Sequence, residues 1–256
     1  MKQEIIYQDL GEMPYQQAWD YQESLLQKNL SIKSKALNLV SSLDQPAAMD
    51  IKRENGLMEG RESTTNYLLF VEHPPVYTLG KSGKQEHVLF DETERERRGI
   101  EFFRTNRGGD ITFHGPGQLV GYPIFDLENF FTDIGKYLRS LEEVIMLVLE
   151  DYGLKGDRSQ GETGVWLDPG IKGRERKICA MGVRCSRWIT MHGFAFNVNT
   201  DLSYFNGIIP CGIQSKQVTS LNKELGYEVP IGEVKEKLKN KFAIVFDSIV
   251  IDKSFH

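Results

Sequence analysis

Strand-like apolar runs interleave with helix-like ones along this chain, with no regular βαβ period and no internal repeat. That irregular order favours an α+β layered fold in one domain over residues 1–256. Ile5 to Tyr7 reads as a short strand. Tyr67 to Glu72 reads as a buried one, ended by His73-Pro74-Pro75 because proline cannot donate to a ladder, and Val76 to Leu79 stays extended. Further strands are expected from Ile100 to Thr105, Leu119 to Leu127, Thr163 to Leu167, Lys177 to Cys185 and Ile189 to Val198. Helices are expected from Pro14 onward, from Asp133 to Tyr152, near Gln217 to Leu225, and from about Ile231 to Ile249. The second is the clearest. Ile134, Leu138, Leu141, Ile145, Val148 and Leu149 follow the helical period, Asp133 can cap its start and Gly153 can end it. From about Leu43 to Thr65 the pattern dissolves into turn and solvent chemistry, which reads as a mobile surface insertion.

Charge and hydropathy exclude several classes. Lys and Arg number 31 against 36 Asp and Glu, a formal net charge of −5, so a surface built around nucleic acid is disfavoured. No apolar run approaches the roughly 18–20 residues of a membrane helix. The longest, Phe242 to Ile251, is broken by Asp247 and Ser248. Met1-Lys2-Gln3-Glu4 does not begin a signal peptide. Three cysteines (Cys179, Cys185 and Cys211) do not make a disulfide framework, so a reducing cytoplasm is expected and each thiol is core filler or chemistry.

Common phosphate and metal motifs fail on spacing. Gly80-Lys81-Ser82 resembles the end of a P-loop, but Pro75 stands where its first glycine belongs. Cys179, Cys185 and His192 are too widely spaced for a usual zinc set, so no metal is expected. What remains is a dense run, Arg107-Gly108-Gly109-Asp110-Ile111-Thr112-Phe113-His114-Gly115-Pro116-Gly117-Gln118. Glycine lets a backbone approach a ligand closely. A tight loop between strands would explain the glycines alone; with the Arg107 guanidinium and His114 beside them, a binding loop explains more. Cys179 and Cys185 lie inside strand-like runs and read as packing. Cys211, between Pro210 and Gly212, is balanced between turn filler and nucleophile. Lys177 opens an apolar run and reads by itself as a solvated residue. From 172 to 187 six basic residues (Lys172, Arg174, Arg176, Lys177, Arg184 and Arg187) meet one acid, Glu175, a patch able to dock an acidic partner.

Several stretches, in order, resemble the lipoyl(octanoyl) transferase family. They are His73 to Gly80, Arg107 to Tyr122, Gly164-Val165-Trp166, Lys177 to Arg184, Thr190 to Asn199, Asp201-Leu202 and Pro210-Cys211-Gly212. The resemblance implies a fold similar to the biotin and lipoate protein ligases, a mixed or antiparallel sheet with flanking helices. It implies a cysteine nucleophile paired with a lysine, carried onto Cys211 and Lys177. The acyl-binding segments carry onto Arg107, Gly108, Gly109, Asp110, Ile111, Thr112, Phe113 and His114, onto Ala180, Met181 and Gly182, and onto Gly193, Phe194 and Ala195. Asp110 departs from the glutamine common at that place, and the insertion at about 43–65 is unusual for the family.

The resemblance further implies transfer of octanoyl from octanoyl-acyl carrier protein, through an octanoyl-Cys211 thioester, to the target lysine of a lipoyl domain. The acceptors would be lipoyl domains of 2-oxoacid dehydrogenase complexes and the glycine cleavage H protein, and the step is the first of endogenous protein lipoylation. Lys177 would serve as base or as ammonium partner of the thiolate. Ile111, Phe113, Met181 and Phe194 are the expected walls of the acyl site, and backbone N–H groups near Gly182 or Gly212 the candidates for the oxyanion. No cofactor, nucleic acid or membrane partner is expected, and the chain is taken as a cytoplasmic monomer. Three alternatives remain: an ATP-dependent lipoate or biotin ligase of the same fold, an octanoyl amidotransferase between lipoyl domains, and a non-catalytic carrier-binding module.

Overall fold

Apolar side chains at nearly every position, rather than at every second one, mark strands buried on both faces. The computed structural model, which describes residues 2–41, 62–209 and 217–255, places such strands at the centre of a large mixed sheet. They are β2 (Asn66–Glu72), β6 (Gln118–Ile124) and β9 (Ile189–Asn197). To one side run β1 (Gln3–Glu12) and β11 (Ser248–Asp252); to the other, β8 (Arg176–Ser186) and β10 (Gln217–Val218). The order is β10-β8-β9-β6-β2-β1-β11, with β7 (Val165–Leu167) paired to β8. The β2-β6-β9-β8 core is antiparallel, and β1 is parallel to both of its neighbours. A second, three-stranded sheet joins β3 (Val76–Leu79), β4 (Glu101–Arg104) and β5 (Ile111–His114) in the order β4-β3-β5.

Helices cover both faces of the large sheet. α1 (Tyr15–Ser41) lays Ala18, Leu25 and Leu26 against Leu69, Val71, Val120 and Met191. A short helix, α2 (Glu92–Arg97), precedes β4. On the opposite face α3 (Ile134–Glu150) packs Tyr137, Leu141, Ile145 and Val148 with Phe70, Phe194 and Phe196. Its expected cap is in place: the Asp133 carboxylate accepts from the Lys136 N–H at 2.9 Å. α4 (Leu221–Leu225) ends on left-handed Gly226, and α5 (Ile231–Val245) adds Val234, Leu238 and Phe242 to the same core.

Two expected helices are corrected. The last one stops at Val245, and Asp247 turns the chain with a φ of +44°. Ile249, Val250 and Ile251 then pair with Glu4, Ile5 and Ile6 of β1. Ile249 falls one helical step beyond Val245, so the period alone extends the helix. β-branched residues beside an open strand edge form ladder instead. Likewise Gln217 and Val218 pair with Arg176 and Lys177 of β8, and the helix begins only at Leu221. The strand from Leu119 ends at Ile124, because Leu127 opens a 3₁₀ turn under the Asp126 carboxylate. Most of the expected insertion lies outside the described residues. Its last two residues are pinned: Thr65 exchanges hydrogen bonds with the Asn29 side chain, and the Thr64 hydroxyl donates to Asp126 at 2.8 Å.

Glu142 of α3 is fully buried. Its carboxylate accepts from Arg158 at 2.9 Å and from the Gly164 N–H at 3.0 Å, and it faces Arg139 at 2.9 Å. Glu142→Ala leaves two arginines and a buried N–H without this acceptor. We expect a loss of about 2–3 kcal/mol, short of a fully buried pair because both arginines reach solvent. Urea unfolding of the variant measures it, and a loss below ~0.5 kcal/mol would contradict this account.

Candidate active site

Small residues on the middle strands open space where a sheet is otherwise filled. Ala180 and Gly182 on β8 sit opposite Ala195 and Gly193 on β9, and the cavity above them has a volume of about 610 Å³. The glycines also permit close approach. A Cβ on Gly182 would lie 2.7 Å from the Gly108 carbonyl, and one on Gly193 would lie 2.2 Å from that of Gly121. The loop Arg107-Gly108-Gly109-Asp110 therefore lies directly on the sheet, with the Gly108 N–H donating to the Val183 carbonyl at 2.9 Å.

Lys177 stands at the start of β8, lines this cavity and is only 8% exposed. Its ammonium lies 4.5 Å from the centroid of the Trp166 ring, which β7 places directly across the ladder. Lysine is almost never buried without a reason, so the solvated reading is overturned.

A buried chain of hydrogen bonds runs along the cavity. Both Gln118 amide hydrogens are committed, to the Phe113 carbonyl at 3.1 Å and to the Asn197 side-chain oxygen at 2.8 Å. Gln118 Oε1 must then accept from His114 Nδ1, at 2.8 Å. That fixes the tautomer, leaving His114 Nε2 to accept from the Thr78 hydroxyl at 3.3 Å. The same hydroxyl accepts from Arg107 Nη2 at 3.0 Å. At the other end, Asn197 Nδ2 donates to the Thr219 carbonyl at 2.9 Å, and the Thr219 N–H donates to the Lys177 carbonyl at 2.9 Å. The chain thus links the loop arginine to the backbone of the buried lysine. Burial first, and then the neighbouring His73, hold His114 well below its ordinary pKa, hence neutral.

The family model for the lipoyl protein ligase A/B catalytic domain matches residues 46–243. The chain belongs to that family. A relative from Flavobacterium psychrophilum named octanoyltransferase is 55% identical over 98% of this chain and 100% of its own length. Among solved structures, a bi-partite lipoate protein ligase from Thermoplasma acidophilum covers 100% of this chain and 88% of that one, with a TM-score of 0.64 at 18% identity. A lipoate-protein ligase A bound with ATP gives 0.66 at 16% identity, over 100% of this chain and 90% of that one. At these identities the two structures establish the fold: mixed parallel and antiparallel sheets with flanking helices, as in the lipoate protein ligases.

Of the residues carried over from the family resemblance, Arg107 to Thr112, His114, Lys177, Ala180 to Gly182 and Gly193 to Ala195 all line the one cavity. Phe113 does not and is corrected as a wall. On β5 it turns away from the cavity, where its ring stacks on Tyr204 at 4.8 Å and meets Phe205 edge-on at 5.5 Å. Strand alternation, Thr112 and His114 one way and Phe113 the other, is the reason. Cys211 and Gly212 lie outside the described residues. Cys179 is fully buried, and burial raises its thiol pKa well above the ordinary value, as expected of packing.

The basic run from 172 to 187 is partly paired. Arg176 is held by Glu224 at 2.7 Å and Asp168 at 2.6 Å, Arg174 meets the same Asp168 at 3.3 Å, and Arg184 meets Glu23 at 2.8 Å. Glu23 and Glu224 come from distant positions and Asp168 from just before the run, so the excess of positive charge is smaller in space than in sequence. The sequence reading also passed over Tyr15, Tyr122, His192 and Asn197 as cavity residues. The Tyr15 ring stacks on His114 at 5.9 Å, and His192 adopts a left-handed φ of +59°.

His73 donates from Nδ1 to the Met13 carbonyl at 2.7 Å and accepts from the Tyr122 hydroxyl at 2.8 Å. Burial lowers its pKa from 6.5 to about 4 and that of His192 from 6.5 to about 3. The folded values lie below the unfolded one, so acid favours the unfolded chain. The stability these histidines hold is whole above pH ~6.5 and falls away as pH drops towards 4 and 3. His73 alone accounts for about 3 kcal/mol by pH 4. Urea midpoints measured between pH 7 and 4 should fall steeply, and His73→Gln should flatten that slope. An unchanged slope in the variant would refute the assignment.

Proposed function

We propose that the protein is an octanoyltransferase of protein lipoylation. It takes octanoyl from acyl carrier protein as a thioester on Cys211 and passes it to the target lysine of a lipoyl domain. The observation that carries this reading is the buried Lys177 ammonium lining one apolar cavity together with three acyl-binding segments far apart in sequence. The octanoyltransferase name of the 55%-identical relative supports it.

The chemistry balances without a cofactor. The Cys211 thiolate attacks the carbonyl of the carrier thioester, the oxyanion collapses, and the carrier leaves as its thiol with one proton. The acceptor lysine, as free amine, attacks the Cys211 thioester. An amide forms, the amine gives up a proton, and Cys211 returns as thiol. A thioester lies above an amide in free energy, so neither step draws on ATP. A thiol of ordinary pKa near 8.5 needs a nearby cation to ionise at neutral pH, and the Lys177 ammonium supplies one. In the same reading Lys177 receives the amine proton as general base. Each CH₂ of the acyl chain buried against Met181, Phe194 and Ala195 contributes about 0.8 kcal/mol. The acceptors of this reading are lipoyl domains of 2-oxoacid dehydrogenase complexes and the glycine cleavage H protein. It places the enzyme in the cytoplasm, where a reducing medium keeps Cys211 a thiol, and as a monomer.

Intact mass after mixing with octanoyl-acyl carrier protein tests the reading directly. Wild type should gain one octanoyl group, lost on adding lipoyl domain, whereas Cys211→Ser should gain none. Lys177→Met should slow amide formation by roughly 10²–10⁴ and raise the apparent thiol pKa read by iodoacetamide alkylation. Lys177→Arg should keep that pKa low yet still fail in amide formation, since guanidinium does not deprotonate. Alkylation and transfer at wild-type rates in Lys177→Met would remove the lysine from the mechanism. ATP–pyrophosphate exchange by wild type would favour the ligase reading instead.

The cavity makes a separate prediction. Ala195→Leu places a branched side chain on its floor. We expect the KM for octanoyl donor to rise about tenfold or more and that for a butyryl donor to change little. Equal losses for both donors would mean that the acyl chain lies elsewhere.

A further inference from the structure

Asp110 was the one departure within the binding loop, and the structure gives it a partner from outside that loop. Its carboxylate caps its own strand, with Oδ1 accepting from the Ile111 N–H at 2.7 Å. Oδ2 accepts from His87 Nδ1 at 2.6 Å. The two side chains are 13% and 15% exposed, so the bond is largely shielded from water. Nothing in the family resemblance points to His87.

The backbone of His87 is as well placed as its ring. Its carbonyl accepts from the Ile209 N–H at 2.9 Å. The next residue, Val88, bridges Ile208 in antiparallel fashion, and the Leu89 and Phe90 N–H groups donate to the Gly207 carbonyl at 2.8 and 3.3 Å. On the loop side, Gly80, Lys81 and Ser82 donate to the Asp110, Arg107 and Gly109 carbonyls at 3.0–3.2 Å. A rigid path therefore runs from the acyl-binding loop through Asp110 and His87 to residues 207–209. In the sequence, Cys211 follows Ile209 by two residues.

We infer that the Asp110–His87 pair is a positioning device. It locks the acyl-binding loop to residues 207–209, which precede Cys211 in the sequence, so that the loop presents the acyl carbonyl from a fixed place. The inference rests on the octanoyltransferase reading. His87 acts through the loop and the 207–209 strip and need not touch substrate. Misplacing a reacting atom by about 1 Å can cost on the order of 10² in rate. A bond shared by loop and nucleophile segment is where such a displacement would begin.

The test is a double-mutant cycle on full-length protein, read as the rate of Cys211 octanoylation by octanoyl-acyl carrier protein under saturating donor. His87→Ala and Asp110→Ala should each slow acylation about tenfold with KM within about twofold, and the double variant should be no slower than either, as for two ends of one interaction. His87→Asn keeps a side-chain N–H to donate to the Asp110 carboxylate and should restore the rate to within about twofold of wild type. Iodoacetamide needs no acyl positioning, so it should alkylate Cys211 at the wild-type rate throughout. If His87→Ala folds poorly, the Asp110→Ala and His87→Asn arms read the same bond. Multiplicative losses in the double variant, wild-type acylation in either alanine variant, or a parallel fall in alkylation would each overturn the inference while leaving Cys211 as the nucleophile. A wild-type protein that forms no octanoyl adduct would instead overturn the transferase reading, and this inference with it.

Discussion

A buried chain of hydrogen bonds from Arg107 to Thr219 sets the relation between the two sheets. Thr78 and His114 come from the small sheet, Gln118 and Asn197 from the large one, and Thr219 follows its edge strand. Hydrophobic packing alone tolerates sliding, because it has little direction. A buried donor without an acceptor costs about 1–3 kcal/mol, so the two bonds of Gln118 that cross between the sheets, from His114 and to the Phe113 carbonyl, favour one arrangement. Every donor in the chain points the same way, away from the Arg107 charge, and each bond polarises the next. The chain ends on the backbone of Lys177. The loop expected to hold an acyl group and the lysine expected to activate a thiol are thereby fixed in one frame before any substrate arrives.

Within that frame the cavity owes its volume to what is missing from the middle strands. Gly182 and Gly193 face one another across the β8–β9 ladder, as do Ala180 and Ala195. Larger residues there would close the sheet as tightly as it is closed near Phe196 and Leu119, both fully buried. The floor is thus apolar, and one end carries the shielded Lys177 ammonium. Such a slot suits a neutral, medium-length acyl chain, whose carbonyl is the only part that calls for a charge.

The small sheet organises the segment that approaches Cys211. Phe113, expected as an acyl wall, instead stacks on Tyr204. Asp110, just before the same strand, reaches His87, which holds Ile209 through its backbone. The two faces of one strand therefore serve different ends: Thr112 and His114 border the cavity, while Phe113 anchors the chain beyond it. The basic run near Arg176 follows a similar logic. Glu224 and Asp168 hold Arg176 where β8 meets β7, so its charge serves the joining of these strands.

By itself the sequence determined the layered α+β class, most strand positions and the α3 helix with its Asp133 cap; the segments expected at the site came from the family resemblance. Short-range chemistry controls these features: periodicity, caps, and glycines that permit close approach. Tertiary structure decided the rest, since it depends on partners far away in the chain. Ile249 sits at a helical spacing yet forms strand because the edge of β1 is open beside it. Lys177 reads as solvated until Trp166 and the cavity enclose it. The basic run reads as a docking patch until Asp168, Glu224 and Glu23 arrive from elsewhere. His87 carries no signal in its own neighbourhood, because its importance lies in Asp110, 23 residues away, and in the Ile209 backbone. Burial and long-range pairing are properties of the assembled core, and a linear pattern records only which residues are suited to them.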